Sequence, residues 1–371
     1  MVARKVAYLT PLYFDETSYL GGGERYAANL ASGVVEGSGK RYEVELVSYG
    51  VRADRRALCP GVALRVLPVA RRPENPLDAV SWDLADAIAE ADLVHVHMAY
   101  SRSAELGLLA ARQQRKPVCV SDHGGHSSWL GASLGSLELA DRVVCYSDFG
   151  ASLHRTRTPI VVIKGGVDGA LFAPPEIRPE RDRFLCVARL LPHKGIDRLI
   201  RAVPADLPLT VCGRPYHPEY FALLRQLAEG KRVEFVTDAD DSTIRGLYAR
   251  SWANVLPSVY RDCFGNTYQA PELMGLTLLE AMACGTSAIA SRVAAMPEFI
   301  REGETGFLCD NEPELAALLV RLADDPELVE SIGAEGRRTV EREYDLRVAG
   351  ARLATLYDDL IEATSKPEEA A

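Results

Sequence analysis

Short apolar runs alternate with helical segments along most of the chain, and this alternation constrains the fold more than any other feature. In the first half the apolar runs are residues 5–10, 42–49, 92–98, 116–123 and 141–147. Helical periodicity separates most of these runs. Strands that alternate with helices pair in parallel through βαβ units. The first half is therefore predicted to be a doubly wound α/β domain.

A second series of apolar runs and helical segments follows a Gly- and Pro-rich segment, residues 165–183, which has no sustained periodicity. A chain of 371 residues exceeds what one hydrophobic core usually supports. We therefore expect two Rossmann-like domains, 1–165 and 166–345, joined through that segment. Each should carry its ligand-binding residues beyond the carboxyl ends of its strands.

Charge is spread unevenly over the chain, whose formal net charge is −10. Residues 1–165 hold 19 Lys and Arg against 18 Asp and Glu, and the remainder holds 23 against 34. An acidic second half argues against nucleic acid as a partner. Some arginines of the first half could lie on ordinary solvated surface, or could face an anionic acceptor or a lipid surface: Arg52, Arg55, Arg56, Arg71 and Arg72. Peripheral membrane contact therefore stays open.

The sequence shows no signal for membrane insertion or for metal binding. No apolar run approaches the ~20 residues of a membrane span, and the N-terminal run lacks a small-residue cleavage site. The eight cysteines form no CxxC pair and no Cys/His cluster with metal-ligand spacing, so they are interpreted as reduced core residues. We expect a cytoplasmic protein without a bound metal and without a transmembrane segment.

Residues 271–285, PELMGLTLLEAMACG, predict a short buried helix that begins near Gly275 and ends at Gly285. The free N–H groups and the dipole at a helix start suit a diphosphate. Glu272 precedes this helix and Glu280 lies inside it, a spacing that could reach a hexose with one carboxylate and a ribose with the other. The spacing alone favours the alternative, two solvated glutamates on a surface helix.

The pair Glu272 and Glu280, followed by AMACG, resembles the donor-site signature of the retaining glycosyltransferases of family 4. Its flanks, YARSWANVLPS and EFIREGETGFLC, are similar to those of the family. Four earlier stretches resemble the family in the same order along the chain: LGGGERYAANLASGV, SDHGG, VIKGGVD and CVARLLPHKGIDRLI. The resemblance covers essentially the whole chain.

This resemblance implies the GT-B architecture, in which two Rossmann-like domains face a central cleft and the last helix, about 346–364, returns to the first domain. The first domain would be the acceptor side and the second the donor side. The implied reaction moves a hexosyl unit from a nucleotide sugar, a UDP- or GDP-sugar, to an acceptor hydroxyl with retention of configuration. No metal or other cofactor is implied. The acceptor stays open among a small molecule, a lipid-linked sugar and a polysaccharide.

The resemblance also assigns site residues. Arg189 and Lys194 would hold the donor diphosphate, Glu272 would orient the hexose and Glu280 the ribose, and His123 would close over the sugar. These residues, with the exception of Glu280, would form the catalytic set. The remaining residues expected to contact the donor are Gly22, Gly23, Gly213, Met274, Gly275, Leu276 and Thr277.

The sequence departs from the family pattern in three places. Residues 261–271 are inserted ahead of Glu272, as either a surface loop or a wall of the sugar or acceptor pocket. Asp262 imitates the acidic start of the signature, but the residue eight positions after it is not acidic, so we assign Glu272. Gly165 replaces a usual Asn, and VAAMPEF, residues 293–299, replaces the usual Gly-Gly-x-Pro-Glu.

Several other residues and functions are weighed against these assignments. His97 is interpreted as a structural strand residue, and the role of His126 is left open. The acidic pairs Asp240–Asp241 and Asp358–Asp359 are interpreted as solvated faces and not as metal ligands. The competing functions are a sugar-nucleotide epimerase and a non-catalytic module that binds a nucleotide sugar on the same fold.

Overall fold

The computed structural model describes residues 3–13, 22–124 and 135–365. The chain forms two compact units, the first comprising the residues up to Gly166 together with those from Leu346 onward, and the second comprising Val167–Asp345. Each unit is built on a largely parallel β-sheet flanked by helices. The predicted pair of doubly wound α/β domains is confirmed.

The first unit contains a sheet with the strand order β3-β4-β2-β1-β5-β6-β7-β8 among its described residues. Its strands are β1 (Arg4–Tyr13), β2 (Tyr42–Gly50), β3 (Asp54–Cys59), β4 (Val62–Pro68), β5 (Leu93–His97), β6 (Val118–Ser121), β7 (Arg142–Cys145) and β8 (Ile160–Val162). Its helices before the chain leaves the unit are α1 (Gly22–Gly37), α2 (Leu84–Ala87), α3 (Arg102–Gln113) and α4 (Asp148–Ser152), with 3₁₀ turns at Pro76–Asp78 and Ser136–Leu139.

The central strands of this sheet are apolar on both faces, as parallel strands covered by helices must be. Val6 of β1 pairs with Val44 of β2 on one side and with Leu93 of β5 on the other, and all three are buried. At one edge, β3 runs antiparallel to β4 in a hairpin that the sequence analysis did not predict. Between β4 and β5 the regular helix is limited to the single turn α2.

The second unit contains a fully parallel sheet with the order β11-β10-β9-β12-β13-β14. Its strands are β9 (Arg183–Val187), β10 (Leu209–Cys212), β11 (Val233–Val236), β12 (Ser251–Leu256), β13 (Ser287–Ser291) and β14 (Gly306–Cys309). Its helices are α5 (Ile196–Ala202), α6 (Pro218–Leu227), α7 (Asp241–Ala249), α8 (Leu276–Ala283), α9 (Met296–Phe299), α10 (Glu312–Asp324) and α11 (Pro326–Thr339), with a 3₁₀ turn at Pro192–Lys194 and a π-helical turn at Val340–Tyr344. Strand order reverses between β9 and β12, which is where open α/β sheets bind ligands.

The Gly- and Pro-rich segment that was expected to connect the domains lies largely inside the second unit. From Val167 onward it belongs to that unit, and Phe172 is buried. Both oxygens of Glu330 accept hydrogen bonds of 2.7 Å from Arg178. The crossing between the units is therefore much shorter than the segment itself.

The last helix, α12 (Leu346–Ser365), belongs to the first unit and packs along α1. The two helices meet through glycines. A Cβ at Gly350 would lie 2.0 Å from the carbonyl oxygen of Gly33, and one at Gly37 would lie 2.4 Å from the carbonyl oxygen of Arg347. The expected return of the last helix to the first domain is confirmed. No helix among the described residues has the length and hydropathy needed to cross a membrane.

We predict that Gly350→Ala destabilises the first unit, because the added methyl group would overlap the backbone of α1. Overpacking of this kind costs about 1–3 kcal/mol. The control is Gly246→Ala in α7, where a Cβ would meet no atom within 4 Å. That change should stabilise by about 0.4–1 kcal/mol through the unfolded chain. Urea unfolding of both variants measures the difference, and equal stability of the two would contradict the proposed helix contact.

Candidate functional site

An ion pair lies where β9 and β12 end at the carboxyl edge of the second sheet. Nζ of Lys194, at the end of the 3₁₀ turn after β9, is 2.5 Å from Oε1 of Glu272. Ser258, just after β12, donates a hydrogen bond of 2.7 Å to the same oxygen. The side chains of Lys194 and Glu272 are only 12% and 8% exposed. The structure thus brings together two of the predicted catalytic residues, which are 78 positions apart.

The ion pair retains unused hydrogen-bonding capacity. An ammonium group has three donors, and a carboxylate has a second oxygen. Among the described residues, nothing other than Glu272 accepts a hydrogen bond from Nζ of Lys194, and nothing donates one to Oε2 of Glu272. Lys194 can therefore donate to an anionic oxygen of a ligand while Glu272 accepts from a hydroxyl.

Glycine backbones allow the loops at this sheet edge to pack closely. A Cβ at Gly195, where φ is +63°, would lie 2.1 Å from the carbonyl oxygen of Pro257. A Cβ at Gly213, which follows β10, would lie 1.8 Å from the carbonyl oxygen of Ala188. The contact of Gly195 with Pro257 sets the loop that carries Lys194 against the end of β12. Of these two glycines, Gly213 is one of the predicted donor-site residues.

Helix α8 begins at Leu276, as the apolar spacing of the sequence predicts. Its N-cap is Gly275 in the left-handed conformation, with φ +70°, and no side chain caps the helix start. The first N–H groups of such a helix lack intrahelical acceptors and attract anions. The buried Asn254 of β12 fixes this helix start, because it donates to the carbonyl oxygen of Thr277 and accepts from the amide of Val187.

The remaining predicted donor residues lie around this helix. Glu280 is half-buried, and Oε2 accepts a hydrogen bond of 3.0 Å from the hydroxyl of the buried Tyr248. Met274 is buried, whereas Leu276 and Thr277 are partly exposed. Arg189 is exposed, and its guanidinium forms no hydrogen bond or ion pair with any other residue that the structure describes. Its guanidinium is thus available to an anion.

The inserted segment 261–271 folds around Asp262. One carboxylate oxygen of Asp262 accepts from the amides of Phe264 and Asn266, and the other accepts from the hydroxyl of Tyr268. The ring of Tyr268 lies 4.9 Å from that of His193, the neighbour of Lys194. Burial, together with the charge of Lys194, lowers the pKa of His193 to about 4. Asp262 therefore organises a loop that contacts the 3₁₀ turn of the site.

In the first unit, His123 follows β6 and joins a network of buried rings. Its Nε2 lies 2.8 Å from Nδ1 of His97 and 3.1 Å from the hydroxyl of Tyr146. Both contacts engage the same nitrogen, so Nδ1 of His123 is the ring nitrogen left for other partners. His97, which was interpreted as structural, contacts the predicted catalytic histidine directly. The sequence offered no sign of Tyr146.

The histidines of this network are held neutral. Ser121 and the hydroxyl of Tyr357, in α12, lie 2.7 and 2.6 Å from the two ring nitrogens of His95. Burial lowers the pKa of His95 to about 3 and that of His123 to about 4, and it lowers the pKa of His97 well below its usual value. Desolvation disfavours the charged imidazolium, and neighbouring histidines add to that effect.

The other sequence predictions fall outside these clusters. Gly22 and Gly23 are the first two residues of α1. His126 lies outside the described residues. Asp240 is the N-cap of α7 and accepts from the amide of Thr243. Asp358 pairs with Arg4 and Arg41 and accepts from Tyr42. Within the described ranges, no group of three or more His, Cys, Asp and Glu side chains is placed to hold a metal ion.

Comparisons with known proteins show the family of the chain. The model of the family described as Glycosyl transferases group 1 matches residues 167–339, and that of Glycosyltransferase Family 4 matches residues 20–171. A GDP-mannose-dependent alpha-(1-6)-phosphatidylinositol monomannoside mannosyltransferase of Mycolicibacterium smegmatis is 28% identical over 80% of this chain and 85% of that protein. A lipopolysaccharide core biosynthesis mannosyltransferase of Rhizobium leguminosarum bv. viciae is 30% identical over 64% of this chain and 68% of that protein.

Solved structures show the same fold at lower identity. Sucrose-phosphate synthase from Thermosynechococcus elongatus matches 97% of this chain and 100% of its own with a TM-score of 0.73 and 21% identity. HepE of Anabaena, in complex with UDP and glucose, matches 96% of this chain and 100% of its own with a TM-score of 0.72 and 18% identity. These structures share the GT-B fold with this chain, and the family models and relatives identify it as a glycosyltransferase. The chain belongs to glycosyltransferase family 4.

We predict that the first unit loses stability as the pH falls below about 6.5. The unfolded histidines take up protons near that pH, whereas His95 and His123 stay neutral in the folded unit down to about 3 and 4. The unfolding free energy should therefore fall by up to about 1.4 kcal/mol per pH unit for each such histidine. Urea unfolding at pH 7, 6 and 5 measures the slope. His95→Gln should reduce the slope, and a slope unchanged by this substitution would contradict the explanation.

Proposed function

We propose that this glycosyltransferase moves a hexosyl unit from a nucleoside-diphosphate sugar to an acceptor hydroxyl with retention of configuration. The observation that carries the proposal is the Lys194–Glu272 pair at the strand-order reversal, with free capacity on both partners. The relative from Mycolicibacterium smegmatis is named GDP-mannose-dependent, which supports a nucleotide-sugar donor here. A UDP-sugar is the alternative donor.

The donor diphosphate would be held by positive groups of the second unit. Its charge grows as the sugar leaves, so fixed donors aimed at the phosphates lower the barrier. Lys194 supplies a point charge and Arg189 a planar pair of donors. The uncapped amides at the start of α8 add further N–H groups. These groups together balance the charge of a diphosphate, and we propose that no metal ion is required.

The two glutamates would hold the sugars of the donor. Oε2 of Glu272 is free to accept from a hexose hydroxyl, while Lys194 and Ser258 fix the carboxylate through Oε1. Glu280, oriented by Tyr248, would accept from the ribose hydroxyls. In the transfer the bond from C1 to the diphosphate oxygen breaks, and the acceptor oxygen bonds to C1 on the same face. The acceptor proton passes to the leaving phosphate oxygen.

His123 is proposed as a catalytic residue on the resemblance and on the geometry within the first unit. Its Nε2 is engaged by His97 and Tyr146, so it would contact a ligand through Nδ1. Because burial lowers its pKa to about 4, it acts as a neutral hydrogen-bonding group near pH 7. It therefore orients a hydroxyl and does not supply positive charge.

Lys194→Ala should lower kcat by about 10²–10³-fold, because one donor to the leaving group is lost. Arg225→Ala, which removes an exposed cation of α6, is the charge-matched control and should leave kcat unchanged. Ser258→Ala keeps the ion pair and should lower kcat less than Glu272→Gln. Nucleotide release with and without acceptor measures all four variants. Wild-type kcat in Glu272→Gln would show that Glu272 is not the sugar-binding carboxylate.

Nucleotide binding should raise the melting temperature in the presence of EDTA. A ligand at 100 times its dissociation constant stabilises the folded chain by about 2.7 kcal/mol. Thermal unfolding with UDP, GDP and ADP in turn would identify the base, and the shift should be lost in Lys194→Ala. A shift seen only when Mg²⁺ replaces EDTA would contradict a metal-free site. Donor turnover without acceptor would point to the epimerase alternative, and binding without any turnover to a non-catalytic module.

A further inference from the structure

Arginines and exposed apolar side chains gather on the first unit around the β3–β4 hairpin. Residues 51–72 contain six arginines and a single acidic residue, Asp54. We define the Arg/Trp surface by the residues that remain exposed or half-buried there: Val51, Arg52, Arg55, Arg65, Arg71, Arg72 and Trp82. None of these residues belongs to the site proposed above.

Backbone hydrogen bonds bring the parts of this surface together. The amide of Val69 donates to the carbonyl oxygen of Gly50, which places the segment after β4 beside the turn that carries Val51 and Arg52. The amide of Ala70 donates to the carbonyl oxygen of Val80, two residues before Trp82. A shallow cavity of about 290 Å³ is lined both by hairpin residues and by Asp83. The backbone that carries Trp82 therefore lies close to the hairpin and to the loop that carries Arg71.

The positive charge on this surface is only partly balanced. Arg55 and Arg65 are directly opposite each other in the hairpin, a like-charge pairing that destabilises a sheet. Arg55 pairs with Glu45 at 2.8 Å. Besides Glu45, the acidic residues that border the surface are Asp54 (paired with Arg56), Glu74, Asp83 and Glu90, which pairs with Lys5 and lines a cavity together with Arg55. Among the described residues, no carboxylate pairs with the other surface arginines, Arg52, Arg65, Arg71 and Arg72.

The apolar part of the surface is unusually open to solvent. Trp82 is 85% exposed and Val51 is 57% exposed. Tryptophan combines a large apolar ring with one N–H donor, and it concentrates where membranes meet water. Arginines beside it would meet the negative potential of anionic headgroups. A face of unpaired arginines and exposed apolar side chains has the chemistry of an interfacial membrane contact.

We propose that the Arg/Trp surface binds the surface of anionic lipid bilayers. A site for a small soluble anion would enclose its ligand, whereas these arginines are spread over two strands and two loops, and all but Arg65 are exposed. A single-stranded nucleic acid would stack its bases on several aromatic side chains. Trp82 is the one exposed aromatic residue among the described residues of this unit. The inference does not depend on the donor site of the second unit.

The test is flotation of the full chain with vesicles of phosphatidylcholine alone, or with 30% phosphatidylglycerol, in 0.1 and 0.5 M NaCl. The protein should bind the anionic vesicles, and less at the higher salt. Arg71→Gln/Arg72→Gln should lower the partition coefficient about 25-fold, since each arginine near an anionic surface contributes about fivefold. Trp82→Ala should weaken binding several-fold while the salt dependence stays the same.

Matched controls keep the total charge and the exposed apolar area comparable. Arg155→Gln/Arg225→Gln removes two exposed arginines elsewhere, and Ile177→Ala removes a side chain that is 88% exposed. Both controls should bind as the unmodified chain does, and melting temperatures should show that every variant is folded.

Three results would overturn the proposal. The first is equal binding to neutral and anionic vesicles, or none to either. The second is an equal loss in the control variants. The third is a stabilisation by inorganic phosphate, or binding of a single-stranded RNA, that depends on Arg71 and Arg72 in the absence of vesicle binding. The last result would assign the surface to a soluble anion or to nucleic acid.

Discussion

The ion pair between Lys194 and Glu272 is the interaction around which the second unit's ligand-binding edge is arranged. Taking both charges largely out of water costs several kcal/mol, which their attraction and hydrogen bonds must offset. A well-packed apolar pair would often be as stable, so fold stability alone does not explain two charges there. The pair instead provides hydrogen-bonding groups for a ligand at the ends of β9 and β12: two N–H groups of Lys194 and Oε2 of Glu272. The close approach of Gly195 to Pro257 holds the loop that carries Lys194 against the end of β12.

The two units apply opposite electrostatics to comparable positions in their sheets. The carboxyl edge of the second sheet carries the ion pair of Lys194 with Glu272 and the exposed side chain of Arg189. Beyond β5 and β6 in the first sheet, burial holds His97 and His123 neutral. A charged edge suits a diphosphate whose negative charge increases during transfer, and a neutral edge suits hydroxyl groups. Both edges are largely buried, so the difference follows from charge pairing: Lys194 and Glu272 form an ion pair, whereas a buried histidine without such a partner becomes neutral.

Sequence patterns predicted the elements that depend on local periodicity. They did not predict features that depend on contacts between residues distant in the sequence. Apolar runs in the sequence predict the buried strands β1, β2, β5, β9 and β12. The spacing of apolar residues predicts the start of α8. Strand β3 does not, because its side chains are almost all exposed and carry no alternation. The eight-residue spacing to Glu280 favoured Glu272 over Asp262 as the first acidic residue of the signature. In the structure Glu272 pairs with Lys194, whereas Asp262 accepts hydrogen bonds from its own loop. Ser258, Tyr248 and Tyr146 were missed, because their roles arise only when distant segments meet.

Two departures from the family pattern prove to be one structural adjustment. Ala294 stands in the stretch where the family usually has two glycines, and it adopts the left-handed conformation with φ +49°. That conformation costs a residue with a Cβ about 1–2 kcal/mol. Its amide donates a hydrogen bond of 2.7 Å to the hydroxyl of Tyr260, which immediately precedes the inserted segment. In the loop that Asp262 organises, the amide of Tyr268 donates a hydrogen bond to the backbone carbonyl oxygen of Tyr260. This bond helps to position the residue whose hydroxyl accepts from Ala294. The insertion thus supports a backbone conformation that glycine would adopt without help.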